Sequence, residues 1–246
     1  MKGEFAMNLF LTSSPYLYQH DPATLNTANG FADRLREALP HRPKTLFVCS
    51  DPNNHDMTME FIRITKDAFG RAGIPLGRCT ALDLKNARWA YRLVAESDFI
   101  VLMGGHVPTQ NAFFHKIRLR RLIKKFEGTI MGISAGSMNA AEEVYSQPEE
   151  TGESNPSFQR FLTGLGLAQI NILPHYQQVK DYMLDGKRLY EDVTFADSMG
   201  KTFHVFPDGT YYHQNEEEQA IYGEFWRLSD GIMEHLGLDG ERHELM

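Results

Sequence analysis

The chain has 246 residues, with 25 Lys and Arg against 32 Asp and Glu, for a formal charge of −7. That balance disfavours bulk nucleic-acid binding, and no stretch approaches the ~20 apolar residues of a membrane span. Two cysteines, Cys49 and Cys79, make neither a disulfide framework nor a Cys-rich zinc site, and the opening Met1-Lys2-Gly3-Glu4 lacks the pattern of a secretion signal, so a cytoplasmic location is expected.

In chain order, Met7–Thr12 reads as a first strand followed by a Ser/Pro/Tyr loop, and Phe31–Leu39 as a helix. Thr45–Ser50 is a second strand that ends in the turn-rich Asp51-Pro52-Asn53-Asn54. Met59, Ile62, Thr65 and Phe69 fall near helical spacing, with Gly70 or Gly73 closing that helix. Leu76–Leu82 is a weaker strand, and Asp83–Glu96 a helix with Asp83 as its N-cap. Phe99–Met103 and Thr129–Ile133 are continuous apolar runs, as expected of strands buried on both faces, and Gln110–Phe126 between them reads as one helix. After about residue 200, the short runs Thr202–Phe206, Gly209–His213, Ala220–Tyr222 and Glu224–Leu228 suggest hairpin strands closing the edge of the sheet. Without repeats, low-complexity tracts or a Pro/Ser-rich linker, residues 1–246 are expected to form one α/β domain: a mostly parallel sheet with helices on both faces and extra β-hairpin strands in the C-terminal part.

In such sheets the chemistry sits beyond the carboxyl ends of the strands, here the loops after Ser50, Met103 and Ile133. The last reads Gly132-Ile133-Ser134-Ala135-Gly136 between a predicted strand and a predicted helix. A serine on so sharp a turn sits in strained backbone that flanking glycines relieve, and its Oγ projects from the sheet edge. The Ala135 N–H then becomes an oxyanion donor, and Gly104-Gly105, directly after the Phe99–Met103 run, allows a second donor to approach closely. A serine needs a base. His175, delivered by Ile170-Asn171-Ile172-Leu173-Pro174, stands at a predicted strand end, and His106 beside Gly104-Gly105 is its rival; His55, His204 and His213 also lie near strand ends. Glu149 and Asp208 are the candidate orienting acids, and spacing leaves the choice open.

Ser134 in its Gly-x-Ser-Ala-Gly turn, the Gly104-Gly105 loop and the Pro174-His175 pair together resemble the peptidase E (aspartyl dipeptidase) family, which includes the cyanophycinases. The likeness runs across most of the chain. It implies a fold of the class I glutamine amidotransferase, flavodoxin-like type, with serine in place of the amidotransferase cysteine. It also implies Ser134 as nucleophile, His175 as base, and Gly104 or Gly105 joining Ala135 in the oxyanion hole. The acid falls either at Glu149 or in a Pro-acid-Gly turn at Asp208. Lys187 and Arg188 fall near the place of a cation that binds acidic substrates. The family's third glycine and following Asn or Asp are replaced by His106-Val107-Pro108-Thr109, and Leu184-Asp185-Gly186 departs from the usual run, both where substrate specificity is set.

The expected activity is therefore serine-type cleavage of short peptides, extending to dipeptides with an acidic residue. An esterase of the α/β-hydrolase type is one alternative, and a non-catalytic amidotransferase-like binding module is another. No Walker loop, HExxH or CxxC occurs, so no metal or other cofactor is expected. The expected partner is a short peptide, with no nucleic acid and no membrane, and a homodimer is left open. The run Lys116, Arg118, Arg120, Arg121, Lys124 and Lys125 reads as the solvated face of an amphipathic helix, or else as an anion-binding surface.

Overall fold

The computed structural model describes residues 7–17 and 22–245; residues 1–4, where a secretion signal was sought, and Tyr18 of the first loop lie outside them. The apolar runs become strands β1 (Asn8–Thr12), β2 (Thr45–Val48), β3 (Cys79–Leu82), β4 (Phe99–Leu102) and β5 (Thr129–Ile133). They lie in the order β3-β2-β4-β5-β1 with every neighbouring pair parallel. Leu9, Phe10, Leu46, Phe47, Ile100, Val101, Ile130 and Met131 are all buried, as runs apolar on both faces require.

The helices are α1 (Phe31–Ala38), α2 (His55–Arg71), α3 (Ala90–Ala95), α4 (Val107–Lys116), α5 (Leu119–Ile123) and α6 (Ala135–Met138). From β1 to β3 the chain moves one way across the sheet, and from β3 to β5 it returns. Right-handed crossovers then put α1 and α2 on one face and α3 to α5 on the other, in keeping with the packing of both α3 and α4 on α5. Among the described residues no helix is long and apolar enough to cross a membrane.

Several sequence expectations shift for local reasons. The strand predicted from Leu76 begins only at Cys79. Asp83 caps no long helix. It is buried, takes the Lys85 amide in a turn and holds His55 Nδ1 at 2.5 Å, so the helix of that region reduces to a 3-10 turn (Ala87–Trp89) and α3. Thr58, Ile62, Thr65, Ala68 and Phe69 form the buried stripe of α2, whereas Met59 faces outward. The single helix predicted over Gln110–Phe126 starts earlier, with Pro108 in its first turn, and breaks at Arg118, whose φ of 55° ends α4 and starts α5.

The C-terminal runs divide between two sheets. With β6 (Ile172–Leu173), β7 (Thr202–Val205), β8 (Tyr211–Gln214), β9 (Gln219–Tyr222), β10 (Phe225–Ser229), β11 (Ile232–Gly237) and β12 (Arg242–Glu244), the main sheet continues antiparallel as β1-β8-β9-β12. The others form a separate sheet, β6-β7-β10-β11, in which β6 and β7 are parallel. Only half of the predicted runs therefore close the edge.

On β7, the Nδ1 atom of His204 is buried without a partner among the described residues. Burial, with Arg227 and His243 nearby, lowers its pKa to about 4. The unfolded histidine protonates near 6.5, so this site contributes its full stability above that pH and loses it as pH falls toward 4, by up to about 3 kcal/mol. Urea unfolding at pH 7 and 4.5 is expected to show a steeper acid loss for the wild type than for His204→Gln; equal losses would count against it.

Candidate active site

The loops after β1, β4, β5, β6 and β7 converge at one end of the sheets. Ser134, between β5 and α6, has φ 50° and ψ −114°. Such backbone is costly for a side-chain-bearing residue and persists only where its surroundings hold it. Here the Ser134 amide donates to Thr12 O at 3.0 Å, and its carbonyl accepts from the amides of Ser137 and Met138. The flanking glycines are set by close approach. A Cβ on Gly136 would lie 2.2 Å from Leu102 O, and one on Gly132 would lie 2.8 Å from Ser137 Cα. Gly136→Ala is therefore expected to push α6 off β4. Urea unfolding should show a loss of at least ~1–3 kcal/mol, with slower modification of Ser134 by a serine-directed probe.

The loop after β4 lies beside this turn: a Cβ on Gly104 would sit 3.3 Å from Ser134 Cβ. Gly105 takes φ +153° against Ser50, where a Cβ would meet Ser50 Cβ at 2.5 Å. Among the described residues, the amides of Gly104, Gly105 and Ala135 donate to no other backbone group. A buried amide network ties this loop to α6. Gln110 Nε2 donates to Met103 O, Asn139 Nδ2 donates to Gln110 Oε1 at 3.1 Å, and Asn111 Nδ2 donates to Asn139 Oδ1 at 2.9 Å.

His175 and Asp208 meet because β6 and β7 run parallel in register, Leu173 opposite Val205, and each strand leaves through a proline. His175, with φ 60°, sets its Nδ1 at 2.8 Å from Asp208 Oδ1. Ser13, at the end of β1, completes the arrangement: its Oγ donates to Asp208 Oδ1 at 2.7 Å and accepts the His175 amide at 2.7 Å. Gln178 Nε2 donates to Asp208 Oδ2 at 2.8 Å, and the Asp208 amide donates to Gln177 Oε1 at 3.0 Å. Burial works to raise the Asp208 pKa, but the hydrogen bond and charge of His175 and the bond from Ser13 hold it below the ordinary carboxylate value. An ionised Asp208 only accepts, so Nδ1 is the ring nitrogen that carries a proton toward it. Sequence reasoning missed Ser13, Gln177 and Gln178. The signal for Ser13 was its place directly after the first strand.

Ser134 and His175 line one cavity of about 190 Å3, together with Gly105, Ala135 and Glu149. Among the described residues Glu149 makes no hydrogen bond to His175, whereas Asp208 does. Glu149 keeps a large exposed surface yet forms part of the cavity wall, where enclosure and the nearby Glu153 and Glu150 carboxylates raise its pKa against the pull of His106 and His175. His106 stands outside the cavity wall: its Nδ1 pairs with Thr109 Oγ1 and its Nε2 with Glu153 Oε1, both at 2.8 Å. Glu153 Oε2 in turn accepts the amides of Glu149 and Glu150. One ligand atom each of His106, Glu150 and Glu153 lies within 4.8 Å of the others, a spacing a divalent cation could bridge. The cations predicted for substrate are also turned elsewhere. Arg188 forks onto Asp192, with Nη2 at 2.8 Å from Oδ1, and Lys187 Nζ donates to Ser154 O at 3.1 Å. Arg118, Arg121, Lys124 and Lys125 line a different groove, beside Arg88 and Tyr91.

Residues 9–222 match the model of peptidase family S51. The chain belongs to that family. It is a serine-type peptidase, and the likeness to peptidase E read from its motifs is borne out. Among solved structures, this S51 peptidase is similar to a peptidase from an acI-B1 Actinobacterium (TM-score 0.69, 16% identity, covering 99% of this chain and 98% of that one). It is also similar to a protein named as a peptidase E from Listeria monocytogenes EGD-e (TM-score 0.58, 16% identity, covering 94% and 100%). These similarities bear out the mostly parallel α/β fold. A search among curated proteins finds no match.

Proposed function

We propose that this S51 peptidase cleaves short peptides through Ser134, His175 and Asp208. The observation that carries the reading is the Asp208–His175 contact at 2.8 Å, on a histidine that shares one cavity with the strained Ser134 turn. Ser134 Oγ attacks the scissile carbonyl as His175 Nε2 takes its proton. Asp208 holds the ring in the productive tautomer and stabilises the imidazolium. The Ala135 amide and an amide of Gly104 or Gly105 receive the developing oxyanion. His175 then protonates the leaving amine, and water hydrolyses the acyl-enzyme by the same relay. The cavity is smaller than the ~300–1,000 Å3 typical of ligand pockets, which favours short substrates. The chain order Ser134, His175, Asp208 differs from the serine, acid, histidine order of α/β-hydrolases, which weighs against the esterase reading.

A fluorophosphonate probe tests the reading. It is expected to label Ser134 under native conditions, as located by peptide mass spectrometry, with a short-peptide panel turned over faster than an ester panel. A native protein left unlabelled would overturn it.

A further inference from the structure

With Asp208 orienting His175, the Glu149 carboxylate has no part in that relay, yet Glu149 lines the same cavity. The carboxylate makes no hydrogen bond or ion pair among the described residues, although its backbone is held in place: its amide donates to Glu153 Oε2 at 2.9 Å, and Glu153 is clamped by His106. An unpaired carboxylate on a cavity wall, carried by a held backbone, is an acceptor for a cationic group of the ligand. The rest of the wall is largely apolar, with Val107, Met138, Pro174, Val179 and Leu189. Among the described residues no lysine or arginine lines it, and Lys187 and Arg188 are engaged with Ser154 O and Asp192. An acidic side chain entering here would meet a like charge and lose its hydration with no cation in return, which amounts to discrimination against it. The free α-ammonium of a short peptide, close to the scissile carbonyl, carries the charge that Glu149 lacks.

We infer that Glu149 binds the free α-ammonium of a short peptide whose first side chain is uncharged and apolar, so that the protein removes apolar residues from free N-termini rather than acidic ones. This rests on the proposed serine-peptidase reading of the same site.

The test uses the full chain with the p-nitroanilides of Leu, Asp, N-acetyl-Leu and N-acetyl-Lys. Leu is expected to exceed Asp and N-acetyl-Leu in kcat/KM by at least ~10²-fold, and N-acetyl-Lys to be as poor as N-acetyl-Leu. Loss of a charge-assisted contact in Glu149→Gln should raise KM for Leu on the order of 10–100-fold with kcat within a few-fold. Continued fluorophosphonate labelling of that variant reports a folded site. Asp turned over as well as Leu, N-acetyl-Leu cleaved as well as Leu, or an unchanged KM in Glu149→Gln overturns this inference alone. Good turnover of N-acetyl-Lys would assign the cation to a side chain and overturns it too. Failure of the wild type to label at Ser134 overturns the serine-peptidase reading and this inference with it.

Discussion

Replacing Ser134 with alanine is expected to lower kcat for a cleaved peptide on the order of 10⁶-fold and to abolish fluorophosphonate labelling. In the proposed relay the serine, its base and the base's carboxylate act as one unit, so the loss is large: without Oγ, neither the proton transfer to His175 nor the acyl-enzyme can occur. What remains is the binding and oxyanion stabilisation supplied by backbone amides, worth 10³–10⁴ over water in comparable enzymes. The fold should survive. The bonds that hold the turn are made by the Ser134 amide and carbonyl, to Thr12 O and from Ser137 and Met138, and alanine keeps all of them. Alanine also inherits the same φ of 50° without relief, so unfolding free energies should agree within ~0.5 kcal/mol. Single-turnover cleavage together with urea unfolding separates the two effects. A folded variant that retains a tenth of wild-type turnover would remove Ser134 from the chemistry.

The parts of this molecule legible in its sequence are those set by local pattern. The runs Phe99–Leu102 and Thr129–Ile133 have the length and continuous apolarity of strands buried on both faces, and the glycines around Ser134 mark a turn in which backbone passes within contact of Leu102 and Ser137. What escaped depends on pairing between distant segments. That His175 meets Asp208 follows from the parallel register of β6 and β7, a ladder of two residue pairs that no periodicity announces. Ser13 enters because β8 pairs with β1 and brings the Asp208 turn back to the end of the first strand. Asp83 has the residue type of a helix cap, but tertiary contact gives it to His55 instead. Arg118 breaks its helix without a glycine, a left-handed residue that the charge pattern of the 116–125 run does not betray. Lys187 and Arg188 lie near the expected sequence position, but a short hairpin and the carboxylate of Asp192 turn Arg188 outward.

Asp208→Asn is expected to reduce kcat on the order of 10⁴-fold, while Glu149→Gln acts on KM. Asp208 offers charge as well as an acceptor: its Oδ1 takes both the His175 Nδ1 proton and the Ser13 hydroxyl, and these bonds keep it ionised below the usual carboxylate range despite its burial. An asparagine in its place has one acceptor oxygen and one NH2 group. If the oxygen faces Gln178, the NH2 points at Nδ1 and forces the proton onto Nε2, where the base must be free. If the oxygen faces His175, the tautomer is preserved but the imidazolium formed during attack loses its counter-charge. Either outcome strikes the chemical step and leaves the cavity walls alone, so KM should move little and labelling of Ser134 should slow in parallel with kcat. Ser13→Ala offers an internal check. It removes one donor to the carboxylate and strands the His175 amide, and a smaller loss, roughly 10–100-fold, is expected from one hydrogen bond to a charged group. If Glu149→Gln instead caused the 10⁴-fold fall in kcat and Asp208→Asn did not, the acid would lie on the serine side of His175, and the β6–β7 register would have brought Asp208 to the ring for structure alone.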